Sequence, residues 1–136
     1  MCFISYADDR PFPRAGAIAQ YGPDRPVRVR HLALHLHPDL EAKRIDATAT
    51  LTVEAIVDDV AAIVLDAVDL DVKRVYVDGA PLAYRSRART LDVTFRVPLR
   101  AGERTTFRID YAVIAPRRGV YFTGPDRGDP QKPVQL

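Results

Sequence analysis

Cysteine is almost missing from this chain. Cys2 is the single one, so no internal disulfide can form. That scarcity points to a reducing, cytoplasmic compartment. Tryptophan is absent, and lysine is nearly so: only Lys43, Lys73 and Lys132 occur, and arginine supplies the rest of the 20 basic residues. We read the arginine bias as base composition of the genome rather than phosphate recognition, because 18 interspersed acidic residues bring the net charge to +2. The balance argues against a dedicated nucleic-acid or membrane surface. No stretch approaches the roughly 18 consecutive apolar residues of a membrane helix. The segment Met1–Arg10 lacks the basic start of a secretory signal. H-E-x-x-H, paired C-x-x-C, G-x-S-x-G and phosphate-cradling glycine loops are all missing, which removes the common signatures of zinc, serine and nucleotide chemistry. No segment shows a convincing helical period.

What remains is alternation. Between Arg44 and Val57 one parity is Ile45, Ala47, Ala49, Leu51, Val53, Ala55 and Val57. The other is Asp46, Thr48, Thr50, Thr52 and Glu54, polar until Ile56. A side-chain period of two sustained this long predicts a half-buried strand. Its length predicts a bend, or a crossing between two sheets through a bulge. At 136 residues, 47% of them apolar, the chain makes one domain with a core of its own.

The rest of the chain supplies partners for that strand. Residues 1–26 are punctuated by Pro11, Pro13, Gly16, Gly22, Pro23 and Pro26. They read as an irregular arm that docks through Phe3, Tyr6, Phe12 and Tyr21. Val27 to His37 forms a first strand, antiparallel to the organising one. Its apolar parity switches from Val27 and Val29 to Leu32, Leu34 and Leu36, which predicts a bulge. The three leucines are expected to face inward. Asp58-Asp59-Val60 is a turn and Ala62–Asp66 a short strand. Asp69–Val77 follows, its alternation broken at Lys73-Arg74. Asp78-Gly79 marks a two-residue hairpin. Ala80–Arg87 returns, Leu91–Val97 alternates, and Pro98–Glu103 turns the chain into Thr106–Val113. Pro116–Gly119 is a turn, Val120–Thr123 a short strand and Gly124–Pro133 a loop. About eight short strands with turns between them predict an all-β fold, an antiparallel β-sandwich or saddle of two sheets.

Few residues suggest chemistry. His31, His35 and His37 share one parity, and His35 and His37 lie about 7 Å apart on a strand. They could share a metal, but a zinc site wants further ligands in an organised setting, and the simpler reading is a solvated strand face. Cys2 lacks a positioned base. Asp58, Asp59, Asp66, Asp69 and Asp71 lack the spacing of a calcium loop and read as turn residues. Arg85, Arg87, Arg89 and Arg117-Arg118 read as protection of strand edges. No catalytic, cofactor-binding or metal residue is assigned.

The order of segments carries more than any single residue. It runs from His35-Leu36-His37-Pro38-Asp39 through Arg44–Thr52, Ile63-Val64-Leu65-Asp66, Leu70-Asp71-Val72 and Val75-Tyr76-Val77-Asp78-Gly79. It continues through Leu99–Glu103, Phe107-Arg108-Ile109-Asp110-Tyr111 and Gly119-Val120-Tyr121-Phe122. This succession, from about Val27 to Leu136, resembles the N-terminal domain of the zinc aminopeptidases related to aminopeptidase N and leukotriene hydrolase. The resemblance implies a saddle-like β domain that precedes a thermolysin-like catalytic domain and walls one side of its substrate cavity. It also implies that zinc and its ligands belong to that downstream domain, with no cofactor in this chain. A family glutamine that meets the substrate's amino group would fall a few residues past Leu136, so its role does not transfer to Gln135.

The expectation is thus an arm over 1–26 and a non-catalytic aminopeptidase-type β domain over 27–136, cut before the catalytic domain. The parent would remove N-terminal residues from peptides. The expected partners are the downstream catalytic domain and, in the parent, a peptide. The isolated chain is expected to self-associate through strand edges near its C-terminus. A freestanding β-sandwich binding or adhesion module is the alternative.

Overall fold

The computed structural model describes residues 25–116 and 120–136. The arm assigned to 1–26, with Cys2, lies almost wholly outside the described residues, as does the Arg117-Arg118-Gly119 turn. The described chain forms eight strands: β1 (Val27–Asp39), β2 (Arg44–Ala55), β3 (Val60–Asp66), β4 (Asp71–Val77), β5 (Ala80–Pro81), β6 (Ala83–Ser86), β7 (Thr90–Leu99) and β8 (Arg104–Ile114). They make two antiparallel sheets, a five-stranded one in the order β1-β2-β8-β4-β5 and a three-stranded one in the order β3-β7-β6. The all-β, two-sheet architecture is the one the alternation predicts.

β2 is the axis of the larger sheet. Its odd positions from Ile45 to Ala55 are all buried, while its even positions stay partly or fully exposed. It pairs with β1 on one side and β8 on the other. Of the two expected alternatives, the crossing is excluded: β2 stays in one sheet without a bulge, and its register with β8 is unbroken from Arg44 to Glu54. The irregularity sits in its neighbour. The β1 register shifts between Val29 and His31, so the extra residue returns Leu32, Leu34 and Leu36 to the face already occupied by Val27 and Val29. The break at Lys73-Arg74 is likewise a register shift of β4 against β8.

The chain changes sheets elsewhere. Asp78 and Gly79 both take positive φ, 46° and 79°, which is the backbone of a primed hairpin turn. The return strand expected over Ala80–Arg87 is split: β5 pairs with β4 in the larger sheet, and β6 pairs with β7 in the smaller one. The corner is Leu82, buried and held by its N–H donating to the Val75 carbonyl at 2.9 Å. The strand expected over Val120–Thr123 is reduced to one bridge, Thr123 with Gln135.

The core lies between the sheets. Val53, Phe107 and Ile109 from the larger sheet meet Ile63, Leu91, Val93 and Phe95 from the smaller one. Phe95 and Phe107 pack edge to face across the gap, ring centroids 6.0 Å apart. This core stands over the Ala49–Ala55 part of β2. Leu32, Leu34 and Leu36 are the exception to the expected inward burial: they remain 52%, 51% and 51% exposed. They lie on the inner face, opposite Leu51, Ala49 and Ala47, but the three-stranded sheet is too narrow to cover that edge.

Phe107 has no exposed surface and bridges both layers. Phe107→Ala is expected to cost about 3–5 kcal/mol. Urea unfolding followed by circular dichroism checks this. A loss below about 1 kcal/mol would place the core elsewhere.

Candidate functional surface

The polar chemistry of the molecule is concentrated on the outer face of the larger sheet. Even-numbered β2 residues line up there with β8: Thr48 opposite Asp110, Thr50 opposite Arg108, Thr52 opposite Thr106 and Glu54 opposite Arg104. Glu54 is the centre of one cluster. Arg30 grips it with two N–H donors, at 3.0 Å and 2.7 Å, and Arg104 Nε donates to the same carboxylate at 2.6 Å. The bulge on β1 places Arg30 for this contact. Donation from Arg30 first, and then from Arg104, lowers the Glu54 pKa from 4.5 to about 2.

Asp110 is the centre of a second cluster. It accepts from Arg74 Nε at 2.5 Å, Thr48 Oγ1 at 2.8 Å and the Tyr76 hydroxyl at 3.3 Å. The Arg74 guanidinium also lies 4.8 Å above the Tyr76 ring. Partial burial pushes the Asp110 carboxyl up, but the bonds from Arg74 and Thr48 and the Arg74 charge outweigh it and leave the pKa lowered. Thr52 and Thr106 share a hydroxyl hydrogen bond of 2.8 Å.

Both carboxylates are therefore held ionised, each accepting three hydrogen bonds. A general acid needs the opposite, a raised pKa and a free approach for the reacting atom. These clusters fix the register of β1, β2, β4 and β8, and they do not assemble an acid–base pair.

The three histidines lie on this same outer face. His31, His35 and His37 stand opposite Thr52, Thr48 and Asp46 and are all exposed. Among the described residues no group of three or more His, Cys, Asp or Glu comes together in a way that could hold a metal ion. The donor set of this chain's described residues thus does not fit a zinc centre. The aspartates behave as turn residues: Asp59 and Asp69 take positive φ, and Asp58 Oδ1 accepts the Ala101 N–H at 2.9 Å. Arg87 pairs with Asp92 at 3.0 Å beside the edge strand β6. A depression on the outer face of the smaller sheet is lined by Ala62, Val64, Ala83, Arg85, Asp92 and Thr94, with no histidine, cysteine or serine among its lining residues. The sequence pattern does not reveal Glu54 and Asp110 as organising groups. Their partners lie on other strands and depend on register.

The described residues therefore form a two-layered antiparallel β domain with a polar, ion-paired outer face. No protein-family model matches the chain. Leukotriene A-4 hydrolase of Xenopus laevis is 30% identical over 95 residues, covering 65% of this chain and 15% of that protein. A solved M1 zinc metallopeptidase of Deinococcus radiodurans, bound to a Tyr-Ser-Ala substrate, is 30% identical with a TM-score of 0.60. The match covers 80% of this chain and 24% of that one. A two-domain M1 zinc metallopeptidase bound to L-tryptophan is 31% identical with a TM-score of 0.62, over 71% and 22%. The yeast LTA4 hydrolase, solved with bestatin, shares the fold at 21% identity and a TM-score of 0.54. The chain matches an N-terminal domain of the M1 zinc metallopeptidase and leukotriene hydrolase family. It spans less than a quarter of the length of each of these relatives.

The Glu54 cluster makes stability depend on acid. Between about pH 4.5 and about pH 2 the unfolded chain takes up a proton at this glutamate and the folded chain does not. The contribution is whole above that window and is lost as pH falls through it. Denaturant unfolding at stepped pH is expected to show a smaller acid loss in Glu54→Gln than in the parent. An NMR titration midpoint for the Glu54 carboxyl above 4 would contradict the ion-pair assignment.

Proposed function

We propose that this chain is the non-catalytic N-terminal β domain of a zinc aminopeptidase, where it packs on the catalytic domain and helps wall the cavity that receives the peptide. The observation that carries the reading is the joint likeness in sequence and fold to M1 zinc metallopeptidases over about two-thirds to four-fifths of this chain. It is supported by an outer face whose central carboxylates, Glu54 and Asp110, are tied up in ion pairs. In this reading the zinc and the base that activates water are supplied by another part of the enzyme. This domain contributes shape: a rigid wall whose polar face is pinned by Glu54 and Asp110. The near absence of cysteine fits work in the cytoplasm.

The purified 136-residue chain is expected to carry no stoichiometric zinc by metal analysis and to release no amino acid from aminoacyl-p-nitroanilides. Zinc held at one equivalent and lost in His35→Ala would overturn the scaffold reading. The reading frame beyond codon 136 separates the remaining possibilities: a zinc-binding H-E-x-x-H further on supports the peptidase, and an immediate stop supports a freestanding binding module.

A further inference from the structure

β1 is an edge strand with little to protect it. Among the described residues it pairs on one side only, with β2. Long edge strands are ordinarily blunted by lysine, proline, a bulge or shortness. β1 has its bulge near one end, at Arg30, and Pro38 at the other. Between them His31–His37 runs in regular register, carrying Leu32, Leu34 and Leu36 half exposed on the inner face.

We propose that β1 is a self-pairing edge, on which two copies of this chain join antiparallel about a two-fold axis at Leu34. The occupant is argued from complementarity along the strand. With Leu34 on the axis, Leu34 meets its own copy, Leu32 meets the copy's Leu36, and the reverse holds on the other side. The exposed leucines then close into one row shared by two sheets. On the outer face His31 lies across from the copy's His37. The bulge inserts one residue at Arg30, so Arg28 falls opposite the copy's Asp39 rather than one position further on. Both residues lie on the outer face, across from Glu54 and Arg44 respectively. Opposite charges therefore meet at both ends of the pairing, which favours this alignment. Arg30 does not compete, being held by Glu54. Parallel pairing would set Arg28 beside Arg28 and would not close into a dimer. The C-terminal stretch offers less, since its ladder is the single bridge of Thr123 to Gln135. The inference stands on β1 alone and does not depend on the peptidase reading.

Sedimentation equilibrium of the full 136-residue chain tests it, with circular dichroism reporting the fold of each variant. The chain is expected to be dimeric at tens of micromolar. Leu34→Lys sets two cations on the axis at an already exposed position, and it is expected to yield a folded monomer. Arg28→Asp is expected to raise the dissociation constant about tenfold. Adding Asp39→Arg to it is expected to restore most of the loss. Three results would overturn the proposal. One is a monomer at 200 μM (about 3 mg/ml for a 15.2 kDa chain). Another is a dimer that Leu34→Lys leaves unchanged. The third is a monomer that dimerises only once residues 1–24 are removed, which would assign the edge to that segment.

Discussion

The register of β2 against its two neighbours is the constraint on which the rest of this molecule depends. One face of β2 supplies Ala49, Leu51, Val53 and Ala55 to the core, and the other presents Thr48, Thr50, Thr52 and Glu54. A slip of one residue would exchange the two faces, burying a glutamate and three threonines while exposing the aliphatic row. Such a slip would also separate Glu54 from Arg30 and Arg104, and Thr48 from Asp110. Hydrophobic burial inside and ion pairing outside thus select the same alignment. Neither would need to be strong alone, since exposed ion pairs are individually weak and gain from acting together in networks.

That double selection explains what the sequence made legible. The bulge in β1 shows as a change of parity between Val29 and Leu32, and the one in β4 as the misfit at Lys73-Arg74. Both follow because the inner face must stay apolar. Asp78-Gly79 declares its hairpin through positive φ at both positions. Other features are not local. Whether a long strand crosses between sheets is decided by its partners, and the crossing falls at Leu82 rather than in β2. Alternation says which face Leu32, Leu34 and Leu36 occupy, but not how far the opposing sheet reaches, so their exposure could not be read from the strand itself. The clusters on Glu54 and Asp110 stayed hidden for a related reason: each joins residues from three strands, far apart in the chain.

The same economy bears on function. Carboxylates that hold strands in register are poor candidates for proton transfer, because the donors that fix them also lower their pKa. Here Glu54 and Asp110 on the outer face are committed in that way, and the histidines lie along an edge strand. A surface of this kind suits the shaping of a cavity, the role proposed above. That is consistent with a chain whose structural relatives are several times its length and are zinc enzymes.

Native-state hydrogen exchange along β2 and β8 tests the central claim most directly. If β2 is the pinned axis, its backbone amides from Ala47 to Val53, with those of β8 opposite them, exchange only through global unfolding and share the slowest rates in the domain. Amides in β2 that exchange as fast as those of the 124–133 loop would contradict the account.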